Sequence, residues 1–147
     1  MAVLAGDART VASVRGRQQC GPGWVSHVLQ ALVLGLWRDA DVERLVGRAA
    51  ALYGERRRAL LEALTARGIG AHGASGLNVW VPVGEEAAVV ASMLQRGWVL
   101  APGGPHRLAG STPAVRITIA TLAPPEAPVL AEDLASVLAP SGVVRDG

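Results

Sequence analysis

Apolar residues repeat at two periods along this chain, helical up to about residue 68 and alternating at several places after it. Met1-Ala2-Val3-Leu4-Ala5 predicts a short buried strand ending at Gly6-Asp7, with no partner before it in the chain. Asp7 to Arg17 predicts a helix with Val11 and Val14 on one face, and Cys20-Gly21-Pro22-Gly23 breaks it. Trp24 to Trp37 predicts a helix that is apolar on most faces. Such a helix is normally covered on several sides, and the rest of so small a chain can hardly surround it. Asp39 or Asp41 can cap the next helix, the longest, which runs to about Arg67. Val42, Leu45, Val46, Ala49, Leu52, Tyr53, Leu60 and Leu64 keep helical spacing along it. Glu55, Arg58 and Glu62 form a charged outer face with possible ion pairs. Arg67-Gly68-Ile69 closes the helix, with Gly68 at the left-handed position.

The alternating stretches begin at Leu77, Val79, Val81 and Val83, interleaved with Asn78, Trp80 and Pro82. They predict a strand whose Pro82 marks an end or an edge. Glu85 and Glu86 open a helix, where acids suit the positive N-terminal end, and Gln95-Arg96-Gly97 stops it. Trp98-Val99-Leu100 predicts a short strand and Ala101 to Pro105 a tight turn. Val115, Ile117 and Ile119 alternate with Arg116, Thr118 and Ala120 in another strand. After Pro124-Pro125 and Pro128, Leu130, Leu134, Val137 and Leu138 carry a last helix, and the tail from Pro140 is expected to fray. The fold class expected is α+β: a small sheet covered by helices on one face, preceded by long helices.

Composition narrows the chemistry. Half of the 147 residues are hydrophobic, with four Trp, one Tyr and no Phe, so one aliphatic core is expected. The fourteen basic residues are all Arg. Without Lys the chain has no lysine Schiff base, no P-loop lysine and no Ser-Lys dyad. Net charge is only +2 and the Arg residues are scattered. The run Arg56-Arg57-Arg58 reads as a solvated helix face rather than a nucleic-acid contact. The single Cys20 excludes an intrachain disulfide and suits a cytoplasmic protein. His27, His72, His106 and Cys20 show no metal-binding spacing. The apolar run from Val28 to Trp37 is too short to span a bilayer, so no membrane partner is expected.

Ser26 and His27 are adjacent on a predicted helix, where neighbours do not face each other, so they make a poor catalytic pair. Gly103-Gly104 could turn backbone N–H groups toward an anion, or be only a turn. His106 and Arg107 could face a cleft or solvent. Arg116 is the strongest candidate, a guanidinium on a rigid strand beside the small Ala114 and Thr118. That suits bidentate capture of a carboxylate, though the pattern fits a solvated Arg on an open sheet face equally well. No catalytic residue is assigned.

Several segments in order carry a family resemblance: Ala2-Val3-Leu4-Ala5-Gly6-Asp7, Gly21-Pro22-Gly23-Trp24-Val25-Ser26, Tyr53-Gly54-Glu55-Arg56-Arg57-Arg58 and Gly76-Leu77-Asn78-Val79-Trp80-Val81. Arg96 to Gly103 and Val115 to Ala120 complete it. Over about residues 2–139 the chain resembles the C-terminal part of fold-type I pyridoxal-phosphate aminotransferases. It is most similar to the aminotransferase-like domain of MocR-type regulators of the GntR family.

The resemblance implies that residues 1–38 are the end of a large cofactor-binding domain, 39–140 a small C-terminal domain that closes over the substrate, and 141–147 a tail. It matches the family's substrate-carboxylate arginine to Arg116. It places the catalytic lysine, the phosphate-binding arginine and a DNA-binding winged helix before Met1. The implied cofactor is pyridoxal 5'-phosphate in an intact parent, with none for this chain alone. The implied partners are an amino acid or amine substrate, a second subunit in a homodimer, and DNA through the upstream domain. The alternative function is a non-enzymatic dimerisation or interaction module that associates through the helix at Trp24 to Trp37.

Overall fold

The computed structural model describes residues 5–21, 23–108 and 110–139. The expected strand at Met1–Ala5 falls mostly on residues 1–4, and the tail on 140–147; both lie outside the described residues. Local capping sets the first helices. Asp7 accepts from the Thr10 N–H at 2.9 Å and starts α1 (Ala8–Gln19). Ser26 accepts from the Leu29 N–H at 3.5 Å at the head of α2 (His27–Arg38). Of the two candidate caps for α3 (Ala40–Thr65), Asp39 takes the role, its Oδ1 accepting from the Asp41 N–H at 2.8 Å.

The chain divides into two compact units, Met1–Gly47 and Arg48–Gly147. In the first, neither α1 nor α2 contains a buried residue. The second contains a three-stranded sheet. β1 (Asn78–Pro82) and β2 (Ala101–Pro102) both pair antiparallel with the central β3 (Ala114–Thr118). α4 (Glu86–Gln95) and α5 (Ala127–Leu138) pack on each other. The inward residues Val79, Val81, Val115 and Ile117 join Leu60 and Leu64 of α3, Val89 and Met93 of α4, and Leu130 and Leu134 of α5 in one buried cluster. On the other face Asn78, Trp80, Ala114, Arg116 and Thr118 are half-buried or exposed. The expected α+β class therefore holds, and the open sheet face is the one that carries Arg116.

The two Arg-Gly stops are the same device. Ile69 N–H donates to Leu64 C=O at 3.0 Å and Gly68 N–H to Thr65 C=O at 2.9 Å, with Gly68 at φ 70°. Trp98 N–H donates to Met93 C=O and Gly97 N–H to Leu94 C=O, each at 2.9 Å, with Gly97 at φ 88°. Both are Schellman caps, and each places an apolar residue just past the glycine over the core.

Three expectations need correction. The strand expected at Trp98–Leu100 is displaced to Ala101–Pro102, because the Trp98 N–H is committed to the helix cap and Val99 faces solvent at 85% exposure. The Arg56–Arg58 run is not uniformly solvated. Arg56 and Arg57 are half-buried and donate to the Ala120 and Gly76 carbonyls, leaving only Arg58 exposed. Glu55, Arg58 and Glu62 are exposed as expected but form no ion pair; among the described residues the pairs are Arg44–Asp41, Arg67–Glu132, Arg96–Asp133 and Arg107–Glu86.

Candidate functional site

Antiparallel register builds the site on the open face. Trp80 of β1 stands directly opposite Arg116 of β3, and Ala101 of β2 opposes Arg116 on its other side. The guanidinium therefore rises between an indole and a methyl group, with Ala114 and Thr118 before and after it on the same face. Directly opposed pairs in a sheet have Cβ atoms about 5 Å apart, so Trp80 crowds Arg116 from one side.

The segment after β2 folds back over this row. Gly103 N–H donates to Ala114 C=O at 2.8 Å. A Cβ at Gly103 would lie 2.4 Å from that oxygen and 3.2 Å from the Trp80 ring, so only glycine lets the chain pass so close. A short 3-10 turn, Gly104–His106, follows. It brings His106 Nε2 to 3.0 Å from Arg116 Nη1 and sets the imidazole edge-on to Trp80, with centroids 6.2 Å apart at 79°. Arginine only donates, so this contact is a hydrogen bond where Nε2 is the bare nitrogen of the ring. Arg116 Nε is buried without a hydrogen-bond partner, which is costly for a donor and is a state it shares with Arg56 Nε.

Glu86 anchors the turn. Its Oε2 accepts from Gly104 N–H at 2.8 Å; its Oε1 accepts from Ala114 N–H at 3.1 Å and pairs with Arg107 at 3.3 Å. The Gly104 N–H, then the Ala114 N–H, hold its carboxyl below the ordinary value, with Arg107 adding to them. Glu86 makes no cap within its own helix, so its first-turn position hides a role in tertiary structure. Between this turn and the sheet lies a pocket of about 460 Å³, a volume usual for small-molecule sites, lined by His72, Trp80, Pro82, His106, Leu108 and Ala114 among others. His72 arrives through a two-bond bridge to Trp80 on the outer edge of β1.

The candidates from sequence thus separate. Arg116, Gly103, His106 and Arg107 converge. Ser26 and His27 sit elsewhere, with Ser26 engaged as a helix cap. Trp80 and His72 were missed as site residues; the alternation that puts Trp80 in phase with Arg116 was the available signal. Glu86 carried no signal, because its partners lie 18 to 28 positions away. No group of three metal-ligating side chains occurs among the described residues. Among the described residues the arrangement sets one guanidinium, Arg116, on the open sheet face beside the turn that carries His106.

The sequence pattern of the aminotransferase class I and II family matches residues 1–134. A curated relative, the vitamin B6 salvage pathway transcriptional repressor PtsJ of Salmonella typhimurium, is 31% identical over 139 residues. The alignment takes in 94% of this chain but 32% of the repressor, so the chain spans about a third of that protein's length. The small antiparallel sheet with helices on one face agrees with the family's small domain, and the match runs through α1 to α5. The chain belongs to the aminotransferase class I and II family.

Proposed function

We propose that this chain is the C-terminal, substrate-closing part of a pyridoxal-phosphate-dependent aminotransferase-like protein. In it Arg116 holds the carboxylate of an amino acid or related substrate. The observation that carries this reading is the guanidinium on the open sheet face, set 3.0 Å from His106 and paired with no acid among the described residues. An oxyanion can use both parallel N–H donors of such a fork.

The family's cofactor has an aldehyde and a phosphate to be held. This chain has no Lys to condense with the aldehyde, and the one arginine lining the described pocket, Arg107, is already paired with Glu86, while Arg116 stands on the sheet beside the pocket rather than in its lining. These residues do not fit the cofactor on their own; they fit a carboxylate. The cofactor would accordingly be held by segments outside these 147 residues. On this reading residues 1–38 belong to the end of the large domain and 39–140 to the small one. The likeness to a transcriptional repressor favours a MocR-type regulator over a metabolic enzyme. DNA contact would lie in a further domain, and a cytoplasmic homodimer is the expected assembly. No described helix is long and apolar enough to cross a membrane.

The test titrates acetate into the isotope-labelled chain and follows the Trp80 and Ala114 amide signals. Saturable shifts with affinity on the order of millimolar are expected. Arg116→Ala removes the response while leaving the circular dichroism spectrum unchanged. An unaltered response in that variant would refute the carboxylate reading.

A further inference from the structure

We propose that His106 is the positioning residue of this clamp: its unprotonated Nε2 accepts from Arg116 Nη1, and Glu86 holds the turn that delivers it. The inference rests on the carboxylate reading of Arg116 and adds the device that aims the guanidinium.

An arginine has four rotatable side-chain bonds, and on an open sheet face most of its rotamers are accessible. Two contacts limit that freedom here. Trp80 stands across the strand pair from Arg116, and His106 bonds Nη1 from above. The imidazole is itself set nearly perpendicular to the Trp80 ring. An uncharged acceptor suits this place. A carboxylate so close to the guanidinium would neutralise it and compete with an incoming anion, whereas a neutral ring nitrogen fixes direction and leaves the positive charge in force.

His106 belongs to a three-residue turn, which would swing freely if only its ends were attached. It is fastened close to both ends instead. Glu86 bonds the Gly104 N–H at the start of the turn and pairs with Arg107 just past its end. Through the Ala114 N–H the same carboxylate is fixed to β3, the strand that carries Arg116. Gly103 N–H to Ala114 C=O, and His106 N–H to Gly103 C=O at 2.9 Å, complete the frame. One acidic side chain of α4 thereby sets the distance between the acceptor and the donor it aims.

The experiment reads the tautomer of each histidine in the full 147-residue chain by long-range ¹⁵N–¹H correlation, at about pH 8, where imidazoles are neutral. The expected result is His106 with its proton on Nδ1 and a bare Nε2. In Arg116→Ala, His106 should shift toward the Nε2–H form while His27 and His72 stay as they were. A proton on Nε2 of His106 in the unmodified chain overturns the proposal.

The second arm is acetate affinity. His106→Phe, which keeps a ring but removes the acceptor, should weaken acetate about tenfold, and His106→Gln, whose amide oxygen can accept, should recover part of it. Glu86→Gln should weaken acetate in the same direction and erode the Nδ1–H preference of His106, a change that loss of fold stability alone would not produce. Acetate binding that is unchanged in His106→Phe yet lost in Arg116→Ala overturns the positioning role and leaves the carboxylate reading intact. Binding that survives Arg116→Ala overturns that reading, and the positioning role with it.

Discussion

With no lysine in the chain, arginine does all the cationic work, and partner geometry separates the arginines into kinds. Arg56, Arg57 and Arg67 donate to the carbonyls of Ala120, Gly76 and Pro128, tying α3 and the cap that follows it to segments farther along the chain. A planar fork can cap such carbonyls in fixed directions, which a lysine ammonium does less well. Arg116 is of another kind, since its Nη1 meets a ring nitrogen on the open sheet face rather than a distant carbonyl; an unpartnered buried Nε it shares with Arg56. The neighbouring glycine gives a sharp residue-level prediction. Gly103 has an ordinary helical φ of −78°, so its requirement is space rather than backbone freedom. Gly103→Ala would drive a methyl group into the Ala114 carbonyl at 2.4 Å, and the turn must move to relieve it. We expect a loss of about 1–3 kcal/mol in urea unfolding, as for other overpacked sites. The Nδ1–H preference of His106 should fall with it, since the displaced turn carries that ring away from Arg116. A variant with wild-type midpoint and wild-type tautomer would show that the turn accommodates a methyl group at Gly103.

The elements divide by whether their determinants are local. Both Arg-Gly helix stops could be read from sequence because a Schellman cap needs only a glycine and a following apolar residue. Gly68→Ala and Gly97→Ala should each cost about 1–2 kcal/mol, the penalty for a left-handed Cβ, and lower the melting temperature accordingly. β1 and β3 were equally legible, since one buried face imposes strict alternation on Val79, Val81, Val115 and Ile117. β2 was not, because its start is decided by the cap that consumes the Trp98 N–H. The site was legible only in part: Arg116 and the Gly103 turn stood out, but Glu86 and the His106 contact depend on tertiary closure. A second non-local link, Asp133 of α5, accepts from Trp98 Nε1 at 2.7 Å and from Arg96 at 3.1 Å. The indole bond, followed by Arg96, lowers its pKa from the ordinary 3.8. A carboxyl depressed on folding stabilises fully above its unfolded value and loses that contribution as pH falls through the folded one. Acid should therefore loosen the α4–α5 contact at and below about pH 4. Asp133→Asn should be less stable at neutral pH and show a shallower acid limb; an unchanged pH slope would remove Asp133 from the account.

At the scale of the whole molecule, the two units place their apolar residues differently. The unit from Arg48 onward buries Leu60, Leu64, Met93, Ile117 and Leu134 nearly completely. In the other, Trp24, Val28, Leu32 and Trp37 are 75, 77, 56 and 68% exposed, although α2 and its approach are among the most apolar stretches of the chain. Apolar surface on that scale is normally covered by another protein surface. The same residue type should therefore fail in different ways at the two places. Leu64→Ala leaves a cavity in a closed core and should cost about 2–5 kcal/mol of unfolding free energy, without changing molecular mass in solution. Val28→Glu combined with Leu32→Glu, one helical turn apart on α2, should leave the unfolding midpoint nearly untouched. Its effect should appear in sedimentation, where the unmodified chain gains mass with concentration and the double variant stays monomeric. A chain that remains monomeric at every concentration before any substitution would mean that α2 is not a self-association surface. The long apolar helix would then have to meet a different protein surface.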